Sequence, residues 1–238
     1  MSFISLQNVK KSYTVEGKSI PVLENLNLDI PKEKITVILG RSGCGKTTLL
    51  RIAGGLEMAD QGQIIQSDSR KMNDKAAFVF QEPRLMPWLN VWENVELGLG
   101  SEHMKKNRKR DPGILKEQIE RVGLSGFEKA YPHQLSGGMQ QRVSIARAFA
   151  YEPSMILMDE PFAALDYFTR SQMQKELLRL QRESCVSIVF VTHSIDEALL
   201  LGHKIVILEK GQMKSEIVIN ENDDLNIQKK RIMEQLKV

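Results

Sequence analysis

The chain has little cysteine, no long apolar run and almost no excess of either charge, and each shortage removes a class of protein. Its two cysteines, Cys44 and Cys185, show no paired spacing. A disulfide-stapled scaffold is therefore excluded, and a reducing compartment suits the chain. No stretch approaches the roughly 18 consecutive apolar residues of a membrane span. The start, MSFISLQNVKKSY, lacks the basic and then apolar segments of a secretory signal. The expectation is a chain made and kept in the cytosol. Lys+Arg number 33 against 30 Asp+Glu, a net charge of +3, too small to advertise a nucleic-acid partner. One basic block, Lys105 to Arg110, reads as a solvated loop or helix face in preference to a lipid or nucleic-acid patch.

What is present is the composition of a folded globular chain: 42% hydrophobic and 26% charged residues over 238 positions. Unbroken apolar runs recur at Ile35–Leu39, Ala76–Phe80, Met155–Met158, Ser187–Val191 and Lys204–Leu208. Such runs read as strands buried on both faces of a parallel sheet. Leu26, Leu28 and Ile30 instead alternate with Asn25, Asn27 and Asp29, the pattern of a half-exposed, antiparallel strand. Helical spacing covers Thr47–Ala53, stopped by Gly54 and Gly55, then Met139 to Ala150, then Leu165–Glu183 through Met173, Leu177 and Leu180. From about residue 90 to 150 no strand pattern occurs. The reading is an α/β sheet domain with a mostly helical insertion, and a polar tail from Asn220 with one helix around Leu225, Ile232 and Leu236.

Gly40-Arg41-Ser42-Gly43-Cys44-Gly45-Lys46-Thr47 follows the strand Ile35–Leu39 and opens a helix. This is G-x-x-x-x-G-K-[ST] in the context the motif demands. Glycines let backbone N–H groups turn toward phosphate oxygens at the positive end of the helix. Lys46 would reach the β- and γ-phosphates and Thr47 would ligate Mg²⁺. No Asn is followed by Lys, so the Asn-Lys-x-Asp motif that reads guanine is missing and ATP is the nucleotide expected. Met155 to Met158 runs into Asp159 and Glu160. Asp159 is placed to hold the Mg²⁺ shell, and Glu160 to deprotonate a water. Cys44 lies near Lys46 and a helix N-terminus, both of which lower a thiol pKa, so a reactive thiol is expected there.

Leu135-Ser136-Gly137-Gly138-Met139-Gln140-Gln141-Arg142 precedes a second helix. A cap explains Ser136 alone; it does not explain a second phosphate-binding helix end in a chain that already has one. Beside the P-loop, this segment resembles the signature of the ABC transporter ATPases, and the resemblance extends over nearly the whole chain. It implies a RecA-like P-loop NTPase core, with an N-terminal antiparallel β subdomain and a helical subdomain at about 84–150. The core would comprise 1–83 and 151–219, the tail 220–238, in one domain. It implies a head-to-tail dimer in which Ser136, Gly137, Gly138 and Gln140 act on ATP held by the partner. Tyr13 matches the aromatic that stacks on adenine, an ordinary strand tyrosine being the alternative. Arg41, Ser42 and Thr48 join the other P-loop residues around the nucleotide. Gln81 matches the Q-loop glutamine that contacts Mg²⁺ and water, Ala164-Leu165-Asp166 the loop touching the opposite protomer, and His193 the histidine that contacts the γ-phosphate.

The stretch between Lys46 and Asp159 has no heptad run, against a DNA-repair head, and there is one ATP site, against the tandem translation-associated members. Gln81-Glu82-Pro83-Arg84-Leu85 and Pro87-Trp88-Leu89 resemble the Q-loop region of importer ATPases for nitrate, aliphatic sulfonates and taurine. Trp88 and Trp92 would form a socket for a permease helix, or else pack within the chain's own insertion. The expected partners are a second ATP-binding subunit, integral-membrane permease subunits and, indirectly, an extracytoplasmic substrate-binding protein. The expected location is the cytoplasmic side of the inner membrane, peripheral. The alternatives are an exporter or lipoprotein-release ATPase, and a regulatory protein that binds ATP without turnover. The short tail leaves no room for a regulatory domain, so no solute sensing is expected.

Overall fold

The computed structural model describes residues 2–66, 76–99, 112–220 and 222–236. The basic block Lys105 to Arg110 lies outside the described residues. Two sheets organise the chain. β1 (Ser2–Val15), β2 (Lys18–Pro31) and β4 (Gln61–Gln66) form an antiparallel sheet in the order β2-β1-β4. β3 (Ile35–Leu39), β5 (Ala76–Val79), β6 (Met155–Asp159), β7 (Ser187–Thr192), β8 (Lys204–Glu209) and β9 (Gln212–Val218) form the second, ordered β5-β6-β7-β3-β8-β9. Its first five strands are parallel, and β9 returns antiparallel against β8.

The unbroken apolar runs are explained by burial on both faces. Ile35, Val37, Ile188, Phe190, Ile205 and Ile207 enter one apolar cluster, whereas Ile38, Val189, Val191, Val206 and Leu208 enter the other. Alternate residues of a strand point to opposite faces, so a strand with two covered faces must be apolar throughout. β2 has only one covered face: Leu26, Leu28 and Ile30 are buried while Asn25, Asn27 and Asp29 are exposed. The expected N-terminal antiparallel sheet includes β1, whereas neither β4 nor β9 was marked by a strand pattern. β4 reads Gln-Gly-Gln-Ile-Ile-Gln and has no buried residue; its partner β1, not its composition, makes it a strand.

One cluster is covered by α1 (Lys46–Ala53) and the antiparallel sheet. The other receives α4 (Gly137–Ala150), α5 (Tyr167–Ser184) and α6 (Ile195–Leu201), together with α2 (Val91–Glu96) and α3 (Pro112–Arg121). Among the described residues of 84–150 there is no strand. The tail carries α7 (Leu225–Leu236), anchored by the fully buried Ile232 and a Lys229–Asp196 ion pair to α6. Among the described residues no helix is long and apolar enough to cross a membrane.

Candidate functional site: a phosphate loop at the strand ends

Parallel sheets place their binding loops beyond the carboxyl ends of the strands. The order β5-β6-β7-β3 therefore puts four segments side by side: Gln81 after β5, Asp159 and Glu160 at the end of β6, His193 after β7, and the loop Gly40–Gly45 after β3. Gly40 and Gly45 must be glycine for steric reasons. A Cβ at Gly40 would lie 2.5 Å from the Leu208 carbonyl oxygen, and Gly45 has φ 101° with the Val22 carbonyl 2.8 Å from its Cβ position.

Lys46 is buried, and its ammonium donates to the carbonyls of Gly40 and Arg41, both at 2.9 Å. Two of its three protons are thus held by the loop, leaving the third for an anion above it. Thr47 Oγ1 donates to Asp159 Oδ2 at 2.9 Å. Burial pushes the Asp159 carboxyl above the usual carboxylate range; Thr47 opposes the shift and the neighbouring Glu160 adds to it. A hydroxyl beside a desolvated carboxylate is a hard oxygen donor set that fits Mg²⁺. Among the described residues no cluster of three or more His, Cys, Asp or Glu could hold a metal, and Mg²⁺ is usually held by one or two carboxylates plus phosphate and water.

Glu160 has φ 44°, a left-handed conformation that a side chain resists. Such a residue costs about 1–3 kcal/mol and persists where its surroundings hold it; its N–H donates to the Val191 carbonyl at 3.0 Å. His193 Nδ1 lies 3.1 Å from Glu160 Oε2. A carboxylate only accepts, so Nδ1 carries the proton and Nε2 faces outward.

Other expected residues are placed less simply. Tyr13 is half-buried on β1, and its hydroxyl donates to Glu57 at 2.6 Å and lies 3.4 Å from Thr48 Oγ1, so Tyr13 stands over the start of α1. Arg41, Ser42 and Gly43 are exposed at the loop's crest. The reactive-thiol expectation for Cys44 is corrected: burial pushes its pKa up, and the nearby Lys46 offsets this only in part. The sequence could not show that the thiol points inward, against Gly40.

Ser136 caps α4, accepting from the Met139 N–H at 3.2 Å. The two signature glycines differ. A Cβ on Gly137 would meet open space, whereas one on Gly138 would lie 3.0 Å from Leu165 Cδ2. Gly138 is small for packing against the loop before α5, and Gly137 alone presents bare backbone outward. Gln140 donates to the Pro132 and Leu135 carbonyls, which ties its amide into the chain. Asp166 caps α5 through the Thr169 N–H at 3.0 Å, and its pKa is lowered chiefly by hydrogen bonding from the Thr169 side chain and then from that N–H.

Three polar residues that the motifs did not single out hold the site's loops. Gln141, on α4, donates to the Phe80 carbonyl at 3.0 Å, just before Gln81. Arg147, on the same helix, donates to the carbonyls of Pro83 and Arg84. Asn94 is fully buried and bonds the backbone of Met86, Leu89 and Asn90. Polar residues on a helix face otherwise apolar were the available signal. Trp92 packs against the core cluster while Trp88 is 70% exposed. A surface cleft of about 820 Å³ lies elsewhere, between Lys34, Arg182, Leu199 and His203. The phosphate loop borders one of about 310 Å³ that Leu236 of α7 also lines. The chemistry, not the volume, marks the strand ends as the site.

Residues 23–163 match the sequence model of the ABC transporter family. The chain belongs to that family. This ABC cassette is 43% identical over 223 residues to the aliphatic sulfonates import ATP-binding protein SsuB of Bacillus cereus, covering 92% of this chain and 86% of the relative. It is 42% identical over 209 residues to SsuB of Bacillus subtilis, covering 87% and 80%. Among solved structures, a dimeric post-hydrolysis state of the ATP-binding cassette MJ0796 bound to ADP and Pi superposes with a TM-score of 0.81 at 35% identity, over 91% of this chain and 99% of that one. The cassette described here is an ATPase of the ABC type.

Proposed function

We propose that this cassette is the ATP-hydrolysing subunit of an importer for a small solute, an aliphatic sulfonate first, with nitrate and taurine as the rival cargoes. In this reading two cassettes pair head to tail on the cytoplasmic side of the cell (inner) membrane, as peripheral subunits of a separate integral-membrane permease. A substrate-binding protein would deliver the solute from outside. The single domain would divide its work, the core holding ATP and the helical part at 84–150 carrying Ser136, Gly137 and Gly138 to the partner's nucleotide.

The observation that carries the reading is the placement of Lys46, Thr47, Asp159, Glu160 and His193 on adjacent strand ends, with Ser136 and Gly137 exposed at a separate helix N-terminus. Tyr13 would stack on adenine, with Thr48 beneath it. Gly40 to Gly45 and Lys46 would wrap the phosphates. Thr47, Asp159 and Gln81 would hold Mg²⁺, which supplies neutralisation of phosphate charge when bound. Glu160 takes a proton from water as the water attacks the γ-phosphorus in line. His193, through the outward Nε2, and the partner's phosphate-facing backbone stabilise the developing charge. Asp166 and Gln140 would order the loops at the dimer seam. The exposed Trp88 would fill a pocket of the permease, its loop held from below by Asn94 and Arg147.

The test is reconstitution. The chain is co-expressed with a permease encoded beside it, placed in vesicles with the binding protein, and ATP hydrolysis is measured with alkanesulfonate, nitrate or taurine. Stimulation by an alkanesulfonate supports the reading. Vanadate-sensitive hydrolysis that none of the three stimulates removes the cargo assignment while leaving the ATPase intact.

A further inference from the structure

We propose that Glu197 is a positioning residue that fixes His193 and ties it to α5. The inference rests on the reading of His193 as a contact to the γ-phosphate.

Only His193 and Ser194 separate the end of β7 at Thr192 from the start of α6 at Ile195. Ser194 is the N-cap of α6, and its hydroxyl accepts from the Glu197 N–H at 3.3 Å. In an ordinary capping box a glutamate at this third helical position would reach back to the cap's own N–H. Here that N–H goes to Thr192 Oγ1 at 3.0 Å. The Glu197 carboxylate turns to Thr192 instead, accepting its hydroxyl proton at 2.5 Å. The box has been widened by one hydroxyl, and the widened loop encloses His193.

The donor roles are fixed. An ionised carboxylate only accepts, so Thr192 must donate to it, and the lone pairs of Thr192 are left for Ser194. Both neighbours of His193 are thereby tied to Glu197, Thr192 by its carboxylate and Ser194 by its backbone N–H. The other oxygen, Oε1, accepts from Gln174 Nε2 at 3.2 Å. Gln174 is 8% exposed and Thr192 2% exposed, with Glu197 half-buried between them, so the partners' sides of these bonds are shielded from water. Gln174 sits about two turns into α5, the helix capped by Asp166 beside Leu165 and Gly138. A shift of α5 is transmitted through Gln174 and Glu197 to the backbone on either side of His193. An exposed helix cap needs no such second attachment.

The test compares ATP hydrolysis by the full chain with Thr192→Val, Glu197→Ala, the pair, and Glu197→Gln. Thr192→Val and Glu197→Ala are each expected to lower kcat about tenfold with KM for ATP within about twofold, and the pair to be no worse than either alone. Glu197→Gln can accept from Thr192 and donate to a reversed Gln174 amide, so its kcat is expected within about threefold of the parent. Thr192→Val at the parent kcat overturns the proposal even if Glu197→Ala fails to fold. So do losses that multiply in the pair, or a change confined to KM. His193→Ala separates the two readings. Parental hydrolysis in that variant defeats the role of His193 itself, whereas its loss beside a fully active Thr192→Val defeats only the positioning by Glu197.

Discussion

His193 Nδ1 and Glu160 Oε2 lie 3.1 Å apart although the residues are on different strands' ends. The contact joins the proposed base to the proposed phosphate-sensing imidazole, and it exists because β6 and β7 are parallel neighbours, with Asp159 beside Val191. The left-handed Glu160 aims the carboxylate toward this gap.

Replacing Glu160 by Gln removes the base and keeps the shape. Nucleotide binding should persist while the rate of phosphate release falls by about 100-fold or more. Equilibrium binding of labelled ATP and single-turnover phosphate release check this, and size exclusion should show an ATP-trapped dimer. Hydrolysis at the parental rate would refute the role given to Glu160.

Gly137 separates folding from function. Its Cβ position is open and its φ is not in the left-handed region, so Gly137→Ala should leave stability unchanged or raise it by up to about 1 kcal/mol through helix propensity. ATPase activity should nevertheless drop if the proposed head-to-tail pairing holds, because the added methyl group would obstruct the partner's phosphate. Urea denaturation and turnover, measured on one preparation, give both numbers. Gly138→Ala should instead cost stability, since Leu165 stands 3.0 Å from the new atom.

The inward, partly buried thiol of Cys44 should react with iodoacetamide more slowly at pH 7.5 than the exposed Cys185. A pKa raised by burial leaves less thiolate at neutral pH, so the Cys44 rate should climb as pH increases. Bound ATP should protect Cys44 and not Cys185, and peptide mass mapping distinguishes the two. Faster labelling at Cys44 would contradict the geometry.

His203 makes stability depend on pH. Its Nδ1 accepts from the Ile35 N–H at 3.2 Å, and burial, with Lys34 and Arg182 nearby, lowers its pKa below the ordinary 6.5. The folded state then binds fewer protons than the unfolded state. Its contribution is complete above about pH 6.5 and is lost as pH falls from there through the lowered value. Urea titrations at pH 7.5 and 5.5 should show this loss, and it should shrink in His203→Gln, which retains an acceptor for Ile35.

The sequence alone determined the parts whose physics is local. A strand covered on both faces must be apolar along its length, so Ile35–Leu39 and Ser187–Val191 were visible as buried parallel strands, and the glycines before Lys46 marked a phosphate loop because only they allow its backbone. Tertiary structure decided what depends on who stands beside whom. β4 is a strand only because β1 offers it hydrogen bonds. The Cys44 thiol pKa is raised because the side chain turns inward, and the two adjacent signature glycines differ because only one abuts Leu165. Gln141, Arg147 and Glu197 were passed over because a polar side chain's partner is set by packing between helix and loop, across stretches of chain that no sequence period connects.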